Sequence, residues 1–196
     1  TDYDIAVIGA GHAGVEAALA SARCGLRTAL FTMSLDAIAN MPCNPSVGGT
    51  GKGHLVFEID AMGGEMGYAA DCVTMQSRTL NTGKGAAVRS KRIQADRRRY
   101  SELMKQTIEK TQNLTVIQAE VTRIITDTDS DGRLSIVGLY AEPCGEISCK
   151  AAVICTGTYL GGTTHVGNVK RSSGPDNSLP AIGLTSSLSE LGVELM

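Results

Sequence analysis

The chain has 196 residues, 42% of them hydrophobic, with 18 Lys and Arg set against 20 Asp and Glu. That is enough for one domain with a buried core, and too even a balance to hold nucleic acid by bulk charge. Aromatics are 4% with no Trp, which argues against a platform stacking several bases, while 23 glycines, about 12% against a usual ~7%, point to tight turns and close backbone approach to a ligand.

Residues 4–8 form a short apolar run ending in glycine. The Ala-rich residues 14–23 follow, with Val15, Leu19 and Ala22 on one helical face. Residues 27–32, after the helix-stopping Gly25, complete a βαβ unit with a parallel strand pair. Residues 34–53 read as glycine-rich and without helix, and helices are predicted over 52–62 and 95–111. The period then changes to two. Residues 114–118, 121–126, 134–140 and 146–150 read as successive strands of a β-meander, with turns at 129–132 and 143–145. Residues 151–155, apolar without alternation, read as a buried parallel strand that returns to the first sheet and stops at Thr156-Gly157-Thr158. An amphipathic helix is predicted over 187–195. The pattern is α/β and Rossmann-like with an inserted β-meander. With no initiator Met and an end inside a helix, residues 1–196 are expected to be an incomplete domain, the N-terminal fragment of a longer protein.

Gly9-Ala10-Gly11-His12-Ala13-Gly14 matches G-x-G-x-x-G between a predicted strand and a predicted helix. Gly9 allows the tight turn, Gly11 lets backbone N–H groups approach a pyrophosphate, and Gly14 lets helix pack on strand. The acidic ribose ligand expected at the end of the second strand is replaced by Thr32, which offers a hydroxyl without charge; Asp36 is the alternative.

Residues 41–54 evoke a phosphate-binding P-loop and fail its test, because Ser46 stands where the first glycine is required and Gly53 where the hydroxyl is. Four glycines after Cys43 and before a helix give a loop able to lie flat against a planar ligand. Cys43 is the candidate nucleophile: Asn44, Pro45 and Ser46 are poor core formers, and a loop feeding a helix start favours a thiolate. Cys24, Cys72, Cys144, Cys149 and Cys155 fall in helix or strand readings and are expected to be core packing. No CxxC pair, scattered histidines and no apolar run near the ~18 residues of a membrane span point to reduced thiols in a cytoplasmic protein without a metal cluster.

Eight of the 18 basic residues lie between Lys84 and Lys105, against only Asp96 and Glu102. A solvated face accounts for such a run, with Asp96 and Glu102 pairing Arg92, Arg98 or Arg99 along a helix. The alternative is a phosphate-contact surface of Arg89, Lys91, Arg92, Arg97, Arg98 and Arg99.

With Gly9–Gly14, residues 43–54, residues 58–64 and residues 83–89 taken together, the chain resembles the GidA/MnmG family, flavoenzymes that modify the wobble uridine of tRNA, over essentially its whole length. The resemblance implies a glutathione-reductase-like FAD-binding domain, with the pyrophosphate at Gly9–Gly14 and further contacts at Thr32, Val121, Thr156, Gly157, Thr158 and Ser173. It implies NADH and methylenetetrahydrofolate as co-substrates, Cys43 as the family's cysteine in this loop, a homodimer, and the GTPase MnmE docking on a region absent from these residues. Two other readings stay open: a folate- and FAD-dependent tRNA uridine methyltransferase or other flavin oxidoreductase, and a non-catalytic nucleotide-binding redox module.

Overall fold

The computed structural model describes residues 1–174 and 181–195. Strand β1 (Tyr3–Ile8), helix α1 (His12–Arg23) and strand β2 (Thr28–Thr32) form the expected βαβ unit, with Ile8 beside Phe31 in parallel register. Val15, Leu19 and Ala22 are buried as their spacing requires, and Ala18 joins them. The helix ends where Gly25 takes φ +83°, a conformation costly for any side chain.

Four further elements follow. Strand β3 (Ser46–Gly48), helix α2 (Gly53–Ala61), helix α3 (Met66–Cys72) and strand β4 (Thr74–Leu80) lead to strand β5 (Ser90–Ala95). The three strands form a separate antiparallel sheet in the order β3-β5-β4, which the sequence reading did not anticipate. β4 is exposed along nearly its whole length, so it carries no buried-exposed alternation to announce it. Helix α4 (Arg97–Lys110) begins two residues later than expected because Asp96 caps it, its carboxylate accepting from the N–H groups of Arg98 and Arg99 at 3.0 and 3.1 Å.

Strand β6 (Leu114–Gln118) corrects the meander: it pairs in parallel with β2, making α4 a crossover helix. Leu114 and Val116 pack towards one core and Ile117 towards the other, so period two marked a strand without revealing its partner. The meander proper is β7 (Glu120–Thr128), β8 (Leu134–Glu142) and β9 (Gly145–Ile154). β9 is one ten-residue strand where two were expected. Its first part pairs antiparallel with β8 as far as Ser148, and Cys149 to Ile154 pair with β1, giving the order β6-β2-β1-β9-β8-β7. Beyond the reach of β8, Val153 and Ile154 are 36% and 42% exposed rather than buried. Asp4 ties the parallel strands together at their start. Its carboxylate takes Lys150 Nζ at 2.8 Å and the Arg27 N–H at 2.9 Å, and these bonds, Lys150 first, hold it far below the usual carboxylate range.

A hairpin of β10 (Thr163–Val166) and β11 (Val169–Ser172) and helix α5 (Gly183–Glu190) complete the described chain. α5 starts four residues before the predicted helix and stops before Gly192, whose φ is +81°. Two apolar cores flank the central sheet. Val7, Leu30, Leu19, Tyr100 and Met104 fill one; Ile8, Phe31, Leu139, Leu184 and Leu188 fill the other. Among the described residues no helix is long and apolar enough to cross a membrane.

Candidate dinucleotide site

A cavity of about 560 Å³ opens at the C-terminal ends of β1, β2 and β9, where a doubly wound sheet binds its ligands. Gly9, Ala10, Gly11 and His12 form one wall, Thr32, Met33 and Ser34 the next, and Val121 with Thr156, Gly157 and Thr158 close it. All but Met33 and Ser34 are predicted positions; they are scattered through the chain, and the crossover topology brings them together.

Two glycines of the turn serve the protein itself. Gly9 has φ +101°, and a Cβ there would stand 2.5 Å from the Cys155 carbonyl oxygen; a Cβ on Gly14 would meet the Gly9 carbonyl oxygen at 1.7 Å. Gly14 and Ala13 are not on the cavity wall. Gly11 differs: a Cβ there meets no protein atom within 4 Å, so its smallness leaves room for a ligand. Gly11 is the N-cap of α1, no side chain caps that end, and the first turn holds no acid. Uncapped N–H groups and the positive helix end therefore face the cavity, an arrangement suited to a pyrophosphate.

His12 lines the cavity with its Nδ1 buried and unpartnered, and its ring meets the Tyr100 ring edge-on at 5.7 Å. Burial lowers its pKa, because desolvation disfavours the charged imidazolium. Thr32 is already engaged: its hydroxyl donates to the Ser34 carbonyl at 3.0 Å. Asp36 lies off the wall and pairs with Lys105 at 3.4 Å. The carboxylate on the wall is Glu120, at the start of β7. Sequence reasoning missed it, since only the β6–β7 connection carries it there. Ser173 is off the wall; it shares a 2.7 Å hydrogen bond with Thr164 and donates its N–H to Gly162.

Cys43 is exposed beside Pro42, a wall residue, but is not itself on the wall. β3 stands between Cys43 and α2, so the thiol is not seated at a helix N-terminus as expected. The glycines of the loop divide. A Cβ on Gly48 would lie 2.4 Å from the Lys91 carbonyl oxygen and one on Gly53 3.1 Å from it, so these two serve close approach to β5, whereas a Cβ on Gly49 would meet only the Arg92 side chain at 3.9 Å and one on Gly51 nothing within 4 Å. Of the other thiols only Cys149 is buried; Cys24, Cys72 and Cys144 are exposed at a helix end or turn, and Cys155 is half-buried.

The basic residues divide among elements. Arg89 precedes β5, Lys91 and Arg92 lie on it, and Arg97, Arg98 and Arg99 open α4, all of them exposed. Arg92 therefore cannot reach Asp96 along a helix. The Arg97 guanidinium donates to Asn40 Oδ1 at 2.8 and 3.1 Å.

The glycine turn, the uncapped helix and the cavity across the parallel strands define a Rossmann-type dinucleotide-binding protein. A family profile described as "Glucose inhibited division protein A" matches residues 4–196, and the chain belongs to that family. It is 52% identical over 195 residues to a Caldicellulosiruptor saccharolyticus protein named tRNA uridine 5-carboxymethylaminomethyl modification enzyme MnmG, a match covering all of this chain and 30% of the relative. The structure of Aquifex aeolicus GidA superposes with a TM-score of 0.92 at 42% identity, over the whole of this chain and 32% of that one. A GidA-related protein from Thermus thermophilus, with a TM-score of 0.67 at 20% identity, shares the fold. The chain thus spans about a third of the length of the Caldicellulosiruptor and Aquifex proteins.

Proposed function

We propose that these residues are the flavin-binding part of an enzyme that modifies the wobble uridine of tRNA at C5. The observation that carries the reading is the uncapped N-terminus of α1, opening on a cavity whose Gly11 has room for a ligand, in a chain of this family. FAD would be held with its pyrophosphate at the Gly9–Gly14 turn and its remaining length along Thr32, Val121 and the Thr156–Thr158 segment. When bound, it supplies two-electron redox chemistry. Glu120 is suited to receive ribose hydroxyls, the task Thr32 lacks the charge for.

In this reading Cys43 acts on the base. Its thiolate adds to uracil C6, forming an S–C6 bond while the ring electron pair moves to C5 and O4; C5 then attacks a one-carbon electrophile, and loss of the C5 proton expels the thiolate. NADH, methylenetetrahydrofolate, the GTPase MnmE and a homodimer belong to the whole protein in this reading. The test is on the full-length protein. It should release FAD on denaturation, and Cys43→Ser should retain FAD while losing tRNA modification. Release of nicotinamide nucleotide alone would overturn the flavin assignment, and normal modification by the variant would remove Cys43 from the chemistry.

A further inference from the structure

The small sheet has two unlike faces. In register, Val47 stands beside Ile93, Ser77 beside Ile93 and Thr79 beside Lys91; on this side β3 and β5 pack on α2 and α3, where Lys91, itself exposed, shares a small cavity with Asp60 and Asp71. The opposite side is built from Ser46 and Gln76 beside Gln94, Gly48 and Arg78 beside Arg92, and, at one end, Leu80 beside the buried Ser90. It contains donors and two guanidinium groups and no acid. Arg78, Arg92, Gln76 and Gln94 are all exposed.

The paired arginines need explaining. Like charges facing each other across two strands are destabilising, and among the described residues neither guanidinium has a carboxylate partner. Charge on an edge strand discourages sheet-to-sheet pairing, which would account for Arg78 on β4. It does not account for Arg92 on the central strand. Arg92 also reaches β3, its Nη2 donating to Ser46 Oγ at 3.4 Å, and Ser46 is three residues from Cys43.

We propose that this face is a phosphate-binding platform for the RNA substrate, with Arg78 and Arg92 bridging successive backbone phosphates beside the Cys43 loop. A polyanion between the two guanidinium groups turns their repulsion into attraction, and Gln76, Gln94 and Ser46 add neutral hydrogen bonds to phosphate or sugar. Such contacts orient the strand without reading its sequence. Arg78 lies outside the run of basic residues that the sequence singles out, whereas Lys91, within that run, faces α2 and α3 and is no part of the platform. The inference rests on the tRNA reading above and adds the surface that would seat the RNA.

The experiment uses full-length, flavin-loaded protein and an unmodified tRNA transcript, with binding measured across a salt series. Arg78→Ala with Arg92→Ala should weaken binding at least tenfold near 0.1 M salt and reduce the slope of log K against log[salt] by about 1.4 to 1.8, two contacts' worth. Lys91→Ala should stay within twofold of wild type, and Arg78→Lys with Arg92→Lys should keep most of the slope. Flavin content and melting temperature report whether each variant is folded; should the Ala pair fail to fold, the Lys pair and Arg78→Gln alone carry the comparison. Wild-type affinity and slope in the double variant, alongside wild-type protein that binds tRNA, would overturn the platform. So would loss of dimerisation in light scattering, which would make the face a protein interface. Failure of the wild-type protein itself to bind tRNA would overturn the underlying reading instead.

Discussion

Gly11 and Gly14 stand three residues apart in one motif and are small for different reasons. At Gly14 a methyl group collides with the backbone of Gly9, so Gly14→Ala should prevent the βα turn from closing and cost several kcal/mol, seen as loss of a cooperative melt. At Gly11 the backbone has φ −71° and no protein atom lies near an added Cβ, so Gly11→Ala should melt within a degree or two of wild type yet lose flavin, measured by absorbance after gel filtration. Equal loss of fold in both variants would remove the ligand from the explanation. Tyr100 permits a similar separation. Its hydroxyl is buried without a partner, and burial together with Glu16 and Glu65 pushes its pKa up. Tyr100→Phe should therefore be neutral or slightly stabilising in denaturant titration. His12 next to it carries a pH dependence. The unfolded chain takes up a proton below about pH 6.5 that the buried imidazole refuses, so stability falls as pH drops from that value towards the lowered native pKa. His12→Leu should reduce the difference between melting temperatures measured at pH 7.5 and pH 5.5; an unchanged difference would place the dependence elsewhere.

At the scale of elements, carboxylates hold two helix starts. Asp96 caps α4 within its own segment, and Asp96→Ala should cost about 1 kcal/mol, a fall of roughly 2 to 4 °C in melting temperature for a domain of this size. Glu16 acts across the fold. From α1 its carboxylate accepts the N–H groups of Glu65, at 3.0 and 3.1 Å, and Met66, at 2.6 Å, fixing the start of α3. Arg23 from the same helix pairs with the buried Glu65. The Asp96 cap is a local signal, a carboxylate just before a helical pattern; the Glu16 cap spans about fifty residues and has none. β9 shows a related limit. Its composition changes at residue 151, two residues after its partner changes from β8 to β1 at Cys149, and reading the composition change as a chain break split one strand into two.

For the whole molecule, the cavity is shared by the ends of β1 and β2, the start of β7 and the segment after β9, elements separated by up to about 150 residues of chain. A ligand bridging them should stabilise the fold as a unit. FAD at 100 times its dissociation constant should add about 2.7 kcal/mol, read as a rise in melting temperature that NAD at the same concentration does not match. A larger rise with NAD would reassign the site.

Local chemistry by itself determined the first βαβ unit, the glycine turn, α4 and the presence of β1, β2 and β6 to β9. A glycine before a helix, a carboxylate cap and a period of two act over a few residues, and their energies do not depend on distant chain. Tertiary structure decided the rest: that β6 joins the parallel sheet, that β4 and β5 pair with Arg78 opposite Arg92, that Glu120 rather than Asp36 faces the cavity, and that β3 separates Cys43 from α2. The physical reason is common to all four. A strand satisfies its backbone only on a partner, and partner choice depends on which faces are already covered, so α4 lying over one side of the sheet and the crossing of β9 onto β1 set the neighbours that no local pattern names.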